Sequence, residues 1–246
     1  MGVNLPGFKK GDRTDIELPA VQRELIDALH RAGKKIILVN CSGSPIGLEP
    51  ETQKCEAILQ AWYPGQQGGK AVAEILFGDY NPAGKLPVTF YRNVSQLPDF
   101  EDYNMAGRTY RYMQDVPLFP FGYGLSYTTF GYGKTVLDKN ELTAGQSLKL
   151  TVPVTNTGKR NGEEVVQVYL RKQGDAEGPI KTLRAFKRVS IPAGKTVNVE
   201  FDLKDKELEW WDDQSNTVRV CPGNYDIMVG GSSKEENLQR TTIAIK

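Results

Sequence analysis

Residues 61–90 read AWYPGQQGGKAVAEILFGDYNPAGKLPVTF, and this stretch decides the fold of the first half of the chain. It begins with an aromatic pair and a Pro-Gly turn, and it ends in a second segment rich in Gly and Pro. Between them, residues 67–77 predict a helix with Val72, Ile75 and Leu76 facing inward and Gly78 just after its end. A turn that leads from an apolar run directly into a helix is typical of α/β folds.

Upstream of this stretch, helical and strand patterns alternate. Pro19 is placed to open a helix, because the first helical turn does not need its backbone N–H, and Gly33 is placed to end it. The helical spacing is carried by five apolar residues: Val21, Leu25, Ala28, Leu29 and Ala32. The apolar runs at 36–39 and 57–63 are typical of strands covered on both faces, as in a parallel sheet. This order of elements predicts an α/β fold with right-handed crossovers.

After Tyr132 the pattern changes to alternating apolar and polar residues, which is typical of half-buried antiparallel strands. The alternating segments are 147–154, 165–170, 195–203 and 225–229, and turn residues separate them at 156–158, 192–194 and 222–224. About seven or eight short strands over roughly 110 residues predict a β-sandwich of fibronectin type III character. No long helical pattern occurs in this half.

The two halves predict a fold class of α/β plus all-β. The first part is expected to be a partial three-layer α/β sandwich with a mainly parallel sheet. The second part is expected to be an immunoglobulin-like, fibronectin type III-like β-sandwich. We place the first domain at residues 1–105, a Tyr/Gly/Pro-rich connector at 106–133 and the β-sandwich at 134–246.

Composition excludes several classes of function. The 246 residues carry a formal net charge of +1, so no basic excess favours nucleic acid as a partner. No apolar run approaches the roughly 20 residues that span a bilayer, and the N-terminal residues show no secretory signal. Three cysteines at unrelated spacings favour buried free thiols over a Cys41–Cys55 bridge, and they argue against a structural zinc site. We expect no metal and no cofactor.

Ordered motifs along the whole chain resemble those of glycoside hydrolase family three, the β-glucosidase and β-xylosidase family. Single motifs are weakly specific, but the ordered set is strong. Residues 11–19 and 22–26 resemble the segment that follows the acid/base loop of that family. The motifs similar to its α/β-sandwich domain are residues 39–45, 62–65, 78–87 and 107–112. The motifs similar to its entry into the third domain, and to that fibronectin-like domain, are residues 121–128, 165–170 and 222–225.

The resemblance implies the C-terminal part of a retaining glycosidase that cleaves terminal β-D-glucosyl or β-D-xylosyl residues. Such chemistry needs two carboxyl groups about 5 to 5.5 Å apart. In the family, the nucleophile is an aspartate on an N-terminal (β/α)₈ barrel and the acid/base is a glutamate. We expect both to be missing here, with the glutamate aligning just before Met1. The isolated chain is therefore expected to be inactive and to have no catalytic residue of its own.

The partners implied are a β-linked oligosaccharide or glycoside, bound by the parent enzyme, and the missing N-terminal barrel region. Nucleic acid and membrane are not expected partners. Localisation stays open, since proteins of this family are often periplasmic or secreted but this chain shows no signal. A second hypothesis is a non-catalytic carbohydrate-binding or scaffolding module.

Four residues are candidates for a position next to the substrate. Asp12 and Arg13 suit hydrogen bonding to sugar hydroxyls or bracing of the acid/base loop, and a simple ion pair before the helix is the alternative. Arg108 and Tyr110 suit an outer sugar subsite, and packing between domains is the alternative.

Other motifs favour structural roles. The adjacent acidic pairs 163–164, 212–213 and 235–236 cannot flank one bond if they lie on strands, and a solvated surface is the favoured interpretation. Residues 62–65 suggest either a tight turn or an oxygen ligand at a helix start. The lone His30 precedes the serines at 42–44, against the order of an α/β-hydrolase triad. Of Trp210 and Trp211, one ring at most is expected to be available to a sugar.

Overall fold

The computed structural model describes residues 15–99 and 101–246, which form two compact units. The first unit contains the described residues up to Tyr80, together with Val88–Arg108 and Met113–Phe119. The second contains Asn81–Pro87, Thr109–Tyr112 and Pro120–Lys246. The units interleave along the chain, because two short segments from within the first half belong to the second unit. The domain limits drawn from sequence do not allow for this interleaving.

The first unit has the predicted α/β order. Its elements are α1 (Ala20–Arg31), β1 (Ile37–Asn40), α2 (Glu49–Thr52), β2 (Ala57–Gln60) and α3 (Gly68–Phe77). Strands β1 and β2 are parallel and in register from the pair Ile37–Ala57 to the pair Asn40–Gln60. In the described part of this unit, β1 and β2 form a sheet of two strands, and an isolated parallel bridge joins Glu17 to Gly47. A larger, mainly parallel sheet stays a prediction.

Helix α1 forms where its spacing predicts, but its apolar stripe does not face the core of the unit. Val21 is 71% exposed and Leu25 is 60% exposed, whereas the buried residue of the helix is Ile26. The core cluster of the unit is small: Leu18, Ile26, Ile36, Ile46 and Leu48. Ile37 on β1 is also half exposed. The first unit therefore shows a broad apolar surface for its size.

Helix α3 ends as predicted, because Gly78 adopts the left-handed conformation (φ 82°) that glycine accepts without strain. Its N–H donates to the carbonyl oxygen of Ile75 at 3.0 Å. Val72 and Ile75 are half buried, but Leu76 is exposed, so its inward placement was wrong. One residue turns a helix by about 100°, which puts Leu76 at the margin of the buried stripe.

The second unit is built from strands and short helices. The helices are α4 (Thr109–Tyr112) and α5 (Asp205–Leu208). The strands are β3 (Phe130–Tyr132), β4 (Val136–Leu137), β5 (Glu141–Leu142), β6 (Leu148–Asn156), β7 (Gly162–Lys172), β8 (Thr182–Ile191), β9 (Thr196–Leu203), β10 (Trp210–Asp212), β11 (Thr217–Arg219), β12 (Gly223–Gly230) and β13 (Gln239–Ile245). A five-stranded sheet has the order β5-β13-β12-β7-β8, and in a four-stranded sheet β3, β4 and β9 all pair with β6. Strands β10 and β11 form a separate hairpin. The predicted β-sandwich is confirmed.

The sandwich core follows from the alternation read in the sequence. Every second residue of β6 is buried, and the apolar residues of β7 and β12 pack against them. Full burial of one such aliphatic side chain contributes about 1.5–3 kcal/mol. The largest members of this core include Leu148, Leu150, Leu170, Leu203, Tyr225 and Ile227. The core of the second unit is therefore much larger than that of the first.

The two units should differ in stability. We expect backbone amides of β6, β7 and β12 to exchange hydrogen much more slowly than those of β1 and β2, because the larger apolar core resists opening. Native-state hydrogen exchange followed by mass spectrometry measures this directly. Equal protection of both units, lost together in denaturant, would contradict the expectation.

Candidate functional site

Open α/β sheets usually bind ligands at the carboxyl ends of their parallel strands. In the first unit, the carboxyl ends of β1 and β2 are therefore a candidate site. Asn40 ends β1, Gln60 ends β2, and Ser42 follows two residues after Asn40. Asn40 Nδ2 donates to Gln60 Oε1 at 2.6 Å and to Ser42 Oγ at 3.1 Å. Gln60 Nε2 also donates to Ser42 Oγ, at 3.2 Å, and Ser42 Oγ donates to the carbonyl of Ser44 at 2.8 Å.

These groups are largely satisfied by one another, which gives the edge a structural rather than a reactive character. Asn40 and Ser42 are buried. The single histidine of the chain, His30, is exposed on α1 and does not bond to Ser42. Among the described residues, the hydrogen-bond partners of Ser42 Oγ are Asn40, Gln60 and Ser44, and none of these is a base that could activate a nucleophile.

The turn after β2 is tight. Trp62 has a positive φ of 55° and its ring meets Phe90 edge-on at 6.1 Å. A Cβ on Gly68 would lie 2.4 Å from the ring of Pro64, so glycine is required where the turn meets the start of α3. Packing of the turn explains residues 62–65 without any ligand.

An ion-pair network that the sequence did not suggest lies in the same unit, around the buried side chain of Glu51. Arg23 Nε donates to Glu51 Oε1 at 2.7 Å and Arg23 Nη2 donates to Glu51 Oε2 at 3.2 Å. The same Nη2 donates to Glu17 Oε2 at 2.9 Å and to the carbonyl of Gly47 at 3.3 Å. The Glu51 side chain is 0% exposed. Hydrogen bonding to Glu51 raises the pKa of Arg23 further, so the cation is permanent.

Of the four residues predicted to lie next to the substrate, Asp12 and Arg13 fall outside the described residues. Arg108 donates from Nη2 to the carbonyls of Asp99 (3.0 Å) and Asp102 (2.6 Å), and from Nε to that of Asn104 (3.1 Å). Its guanidinium thus organises its own loop. A sugar-binding role for Arg108 stays a prediction.

Tyr110 lies within the second unit. Its ring stacks on Phe121 at 4.3 Å between centroids and meets Tyr169 edge-on at 5.9 Å. Its hydroxyl accepts the N–H of Leu183 at 3.1 Å. These contacts are those of a packing residue, and an outer-subsite role for Tyr110 also stays a prediction.

The acidic pair on β7 corrects one interpretation. Glu163 and Glu164 point to opposite faces, as the period of a strand requires. Glu163 binds Arg188 and Ser190 on one face. Glu164, however, is buried and forms an ion pair with Lys85 at 3.0 Å, with side chains 6% and 15% exposed. A solvated surface was therefore the wrong interpretation for Glu164. Spacing alone does not reveal the ion pair, because Lys85 lies far from Glu164 in the sequence.

Some carboxyl groups have a pKa displaced away from that of a catalytic acid. A glycosidase acid needs a raised pKa. In the described part of the chain, the pKa is lowered at Asp27, Asp102, Asp212 and Glu235. Hydrogen bonds from Ser215 and Arg219 lower the pKa of Asp212 to about 2. Burial acts to raise the pKa of Glu235, but hydrogen bonds and positive charge from Lys181 and Arg240 lower it overall.

The tryptophan pair divides as predicted. Trp210 is buried, donates from Nε1 to Asp175 Oδ2 at 2.6 Å and meets Tyr225 edge-on. Trp211 is 48% exposed and donates from Nε1 to Asp213 Oδ1 at 2.8 Å. One ring at most is therefore open to a ligand.

Thiols, metal ligands and membrane helices add no further candidate site among the described residues. The three cysteines are free thiols as expected, but the expected burial was wrong for Cys41, which is exposed, whereas Cys55 is half-buried and Cys221 is buried. Burial raises the pKa of Cys55. In the described part of the chain, His, Cys, Asp and Glu side chains do not gather in threes as a metal site requires. No described helix has both the length and the apolarity to cross a bilayer.

Comparison with known proteins defines the class first. Residues 3–127 match the model of the glycosyl hydrolase family 3 C-terminal domain, and residues 164–233 match that of a fibronectin type III-like domain. The fold and these matches define the C-terminal region of a family of glycosyl hydrolases, in which an α/β domain precedes a β-sandwich along the chain. The first match covers more than half of the chain, and the chain belongs to glycosyl hydrolase family 3. The resemblance drawn from the motifs is confirmed.

Individual relatives are much longer than this chain. A xylan 1,4-beta-xylosidase of Xylanibacter ruminicola is 57% identical over 245 residues, covering 100% of this chain and 28% of the relative. A periplasmic beta-glucosidase of Salmonella typhimurium is 38% identical over 234 residues, covering 90% and 30%. A solved β-glucosidase structure from Erythrobacter marinus has a TM-score of 0.85 at 42% identity, covering 98% and 32%. The chain thus spans about a third of the length of these relatives, and it corresponds to their C-terminal part.

Proposed function

We propose that this chain is the non-catalytic C-terminal part of a retaining β-glycosidase that releases terminal β-D-xylosyl or β-D-glucosyl residues. The nucleophile and the acid/base would come from the part of the family enzyme that this chain does not span. The substrate, a β-linked oligosaccharide or glycoside, would meet this chain only at the margin of the active site.

The state of the carboxyl groups carries the proposal. Retaining hydrolysis needs one carboxyl group with a raised pKa beside a second that stays ionised. The pKa is instead lowered at Asp27, Asp102, Asp212 and Glu235. The buried carboxylates Glu51 and Glu164 are held in ion pairs by Arg23 and Lys85. These two carboxylates are therefore engaged in the packing of the fold.

Relatives favour a xyloside as the first substrate to test. The relative named as a xylan 1,4-beta-xylosidase is 57% identical, and the one named as a periplasmic beta-glucosidase is 38% identical. The sugar pocket would be formed mainly outside this chain, so the preference is a proposal about the parent enzyme.

The direct test is turnover of p-nitrophenyl β-D-xyloside and β-D-glucoside by the purified 246-residue chain. We expect a rate equal to that of the buffer blank. A mock purification from the same host controls for contaminating glycosidases. Turnover that survives this control and co-elutes with the chain would overturn the proposal.

A further inference from the structure

The second unit contains a cavity of about 510 Å³ that the glycosidase proposal does not use. Its walls come from Lys85, Glu164, Tyr132 and the segments 123–126, 128–130, 231–232 and 236–239. Binding pockets for small molecules usually have volumes of about 300–1,000 Å³. This cavity is therefore large enough for a monosaccharide or a disaccharide.

One wall of the cavity is aromatic. Phe130 and Tyr132 are two residues apart on β3, so their side chains leave the strand on the same side. Both line the cavity, and Tyr123 lines it as well. Aromatic faces suit the flat C–H faces of a pyranose, because they remove that apolar surface from water without demanding a hydrogen bond.

The polar side of the cavity is formed by the ion pair between Lys85 and Glu164. Lys85 Nζ bonds to Glu164 Oε1 at 3.0 Å and to the carbonyl of Gly124 at 3.2 Å, which uses two of its three N–H groups. Glu164 Oε1 also accepts the N–H of Val165 at 3.1 Å. A lysine donor and a carboxylate acceptor side by side match a hydroxyl group, which both accepts and donates.

The charged groups around the cavity are paired, and this balance disfavours ionic ligands. Lys85 and Glu164 neutralise each other, and Glu236 at the rim is paired with Lys234 at 2.5 Å. Burial and the neighbouring Glu164 raise the pKa of Tyr132, so its hydroxyl stays neutral. Because the pair has no net charge, an ion entering the cavity would lose hydration without gaining a net opposite charge in return.

We propose that this cavity is a non-catalytic binding site for a neutral aldopyranose, a pentose or a hexose. Its ring would stack on the Phe130–Tyr132 wall while its hydroxyls bond to the Lys85–Glu164 pair. The inference does not depend on the glycosidase proposal, because it concerns binding to this chain alone.

The experiment is a titration of the full chain with D-xylose and with D-glucose, followed by ¹H–¹⁵N NMR. We expect saturable shifts of the amides of Gly124, Gly231 and Ser232, with a Kd on the order of 1 mM for so small a ligand. D-glucuronate, which adds a carboxylate to the same ring, should bind more weakly by about tenfold or more. Absence of saturable shifts at these amides up to about 100 mM sugar, roughly 100 times the expected Kd, would overturn the proposal.

Gly231→Ala is the matched test variant. A Cβ at Gly231 would lie 3.0 Å from Glu164 Oε1 and 3.2 Å from the Tyr132 hydroxyl. The added methyl group therefore fills space beside these two polar groups and leaves both of them in place. We expect it to weaken xylose binding by about tenfold or more. The control is Trp211→Ala, which removes the half-exposed ring on the separate β10–β11 hairpin. We expect no change from it.

The two variants separate the outcomes. Loss of binding in Gly231→Ala with unchanged binding in Trp211→Ala supports the cavity. Loss in Trp211→Ala, with shifts at the hairpin, would move the sugar to that surface and overturn the assignment. If Gly231→Ala does not fold, the location of the shifts in the unchanged chain decides between the same two outcomes.

Discussion

Glu164→Ala is expected to destabilise the second unit by about 3 kcal/mol, because it leaves the largely buried ammonium of Lys85, 15% exposed, without its carboxylate partner. Glu163→Ala, at the adjacent position, should cost less than about 1 kcal/mol, because its ion pair with Arg188 lies at the surface. The two substitutions are chemically identical and lie on the same strand, so they differ only in the face to which the carboxylate points.

Urea denaturation measures both effects. A Trp62→Phe background leaves Trp210 and Trp211, both in the second unit, as the fluorescent reporters. The double variant Lys85→Met/Glu164→Leu should recover at least half of the loss, since it replaces both charges with apolar groups. Equal costs at 163 and 164 would show that the buried ion pair does not hold the unit together.

Arg23→Leu is expected to have an effect of similar size on the first unit. It leaves the fully buried carboxylate of Glu51 unpaired, which typically costs about 3–5 kcal/mol. Because the core of this unit is small, that loss should be enough to open it. We expect the amides of β1 and β2 to lose their protection from hydrogen exchange while those of β6 and β7 keep theirs.

Arg31→Leu provides the matched control for this prediction. Arg31 lies on the same helix and is exposed, so the same chemical change should alter stability by no more than about 0.5 kcal/mol. If both variants left the exchange of β1 and β2 unchanged, the Arg23–Glu51 network would have no role in stabilising the unit.

The sequence predicted those parts of the fold that depend on local periodicity. The alternation in residues 147–154 identified β6, and Gly78 marked the end of α3, because a strand face and a left-handed cap each leave a signature within a few residues. The sequence did not predict that the apolar stripe of Val21 and Leu25 would be exposed. Helical spacing shows that an apolar face exists, but not whether anything within the chain covers it.

The polar contacts were harder to predict, because their partners are far apart in the sequence. The period of β7 correctly separated Glu163 from Glu164, yet only the fold brings Lys85 to one of them. Arg23 and Glu51 are likewise separated by 28 positions and a strand. Tyr110 was singled out as an aromatic next to arginines, and the structure places it against Phe121 and Tyr169. Such pairings are long-range, and no local pattern encodes them.

The central claim is that this chain completes a family 3 glycosidase without supplying its catalytic carboxyl groups. The most direct measurement replaces the corresponding C-terminal region of the Xylanibacter ruminicola relative, 57% identical, with this chain and assays p-nitrophenyl β-D-xyloside turnover. The truncated relative and this chain, each alone, should be inactive, whereas the chimera should keep kcat within about tenfold of the intact relative. A folded but inactive chimera, or an active chain alone, would contradict the claim.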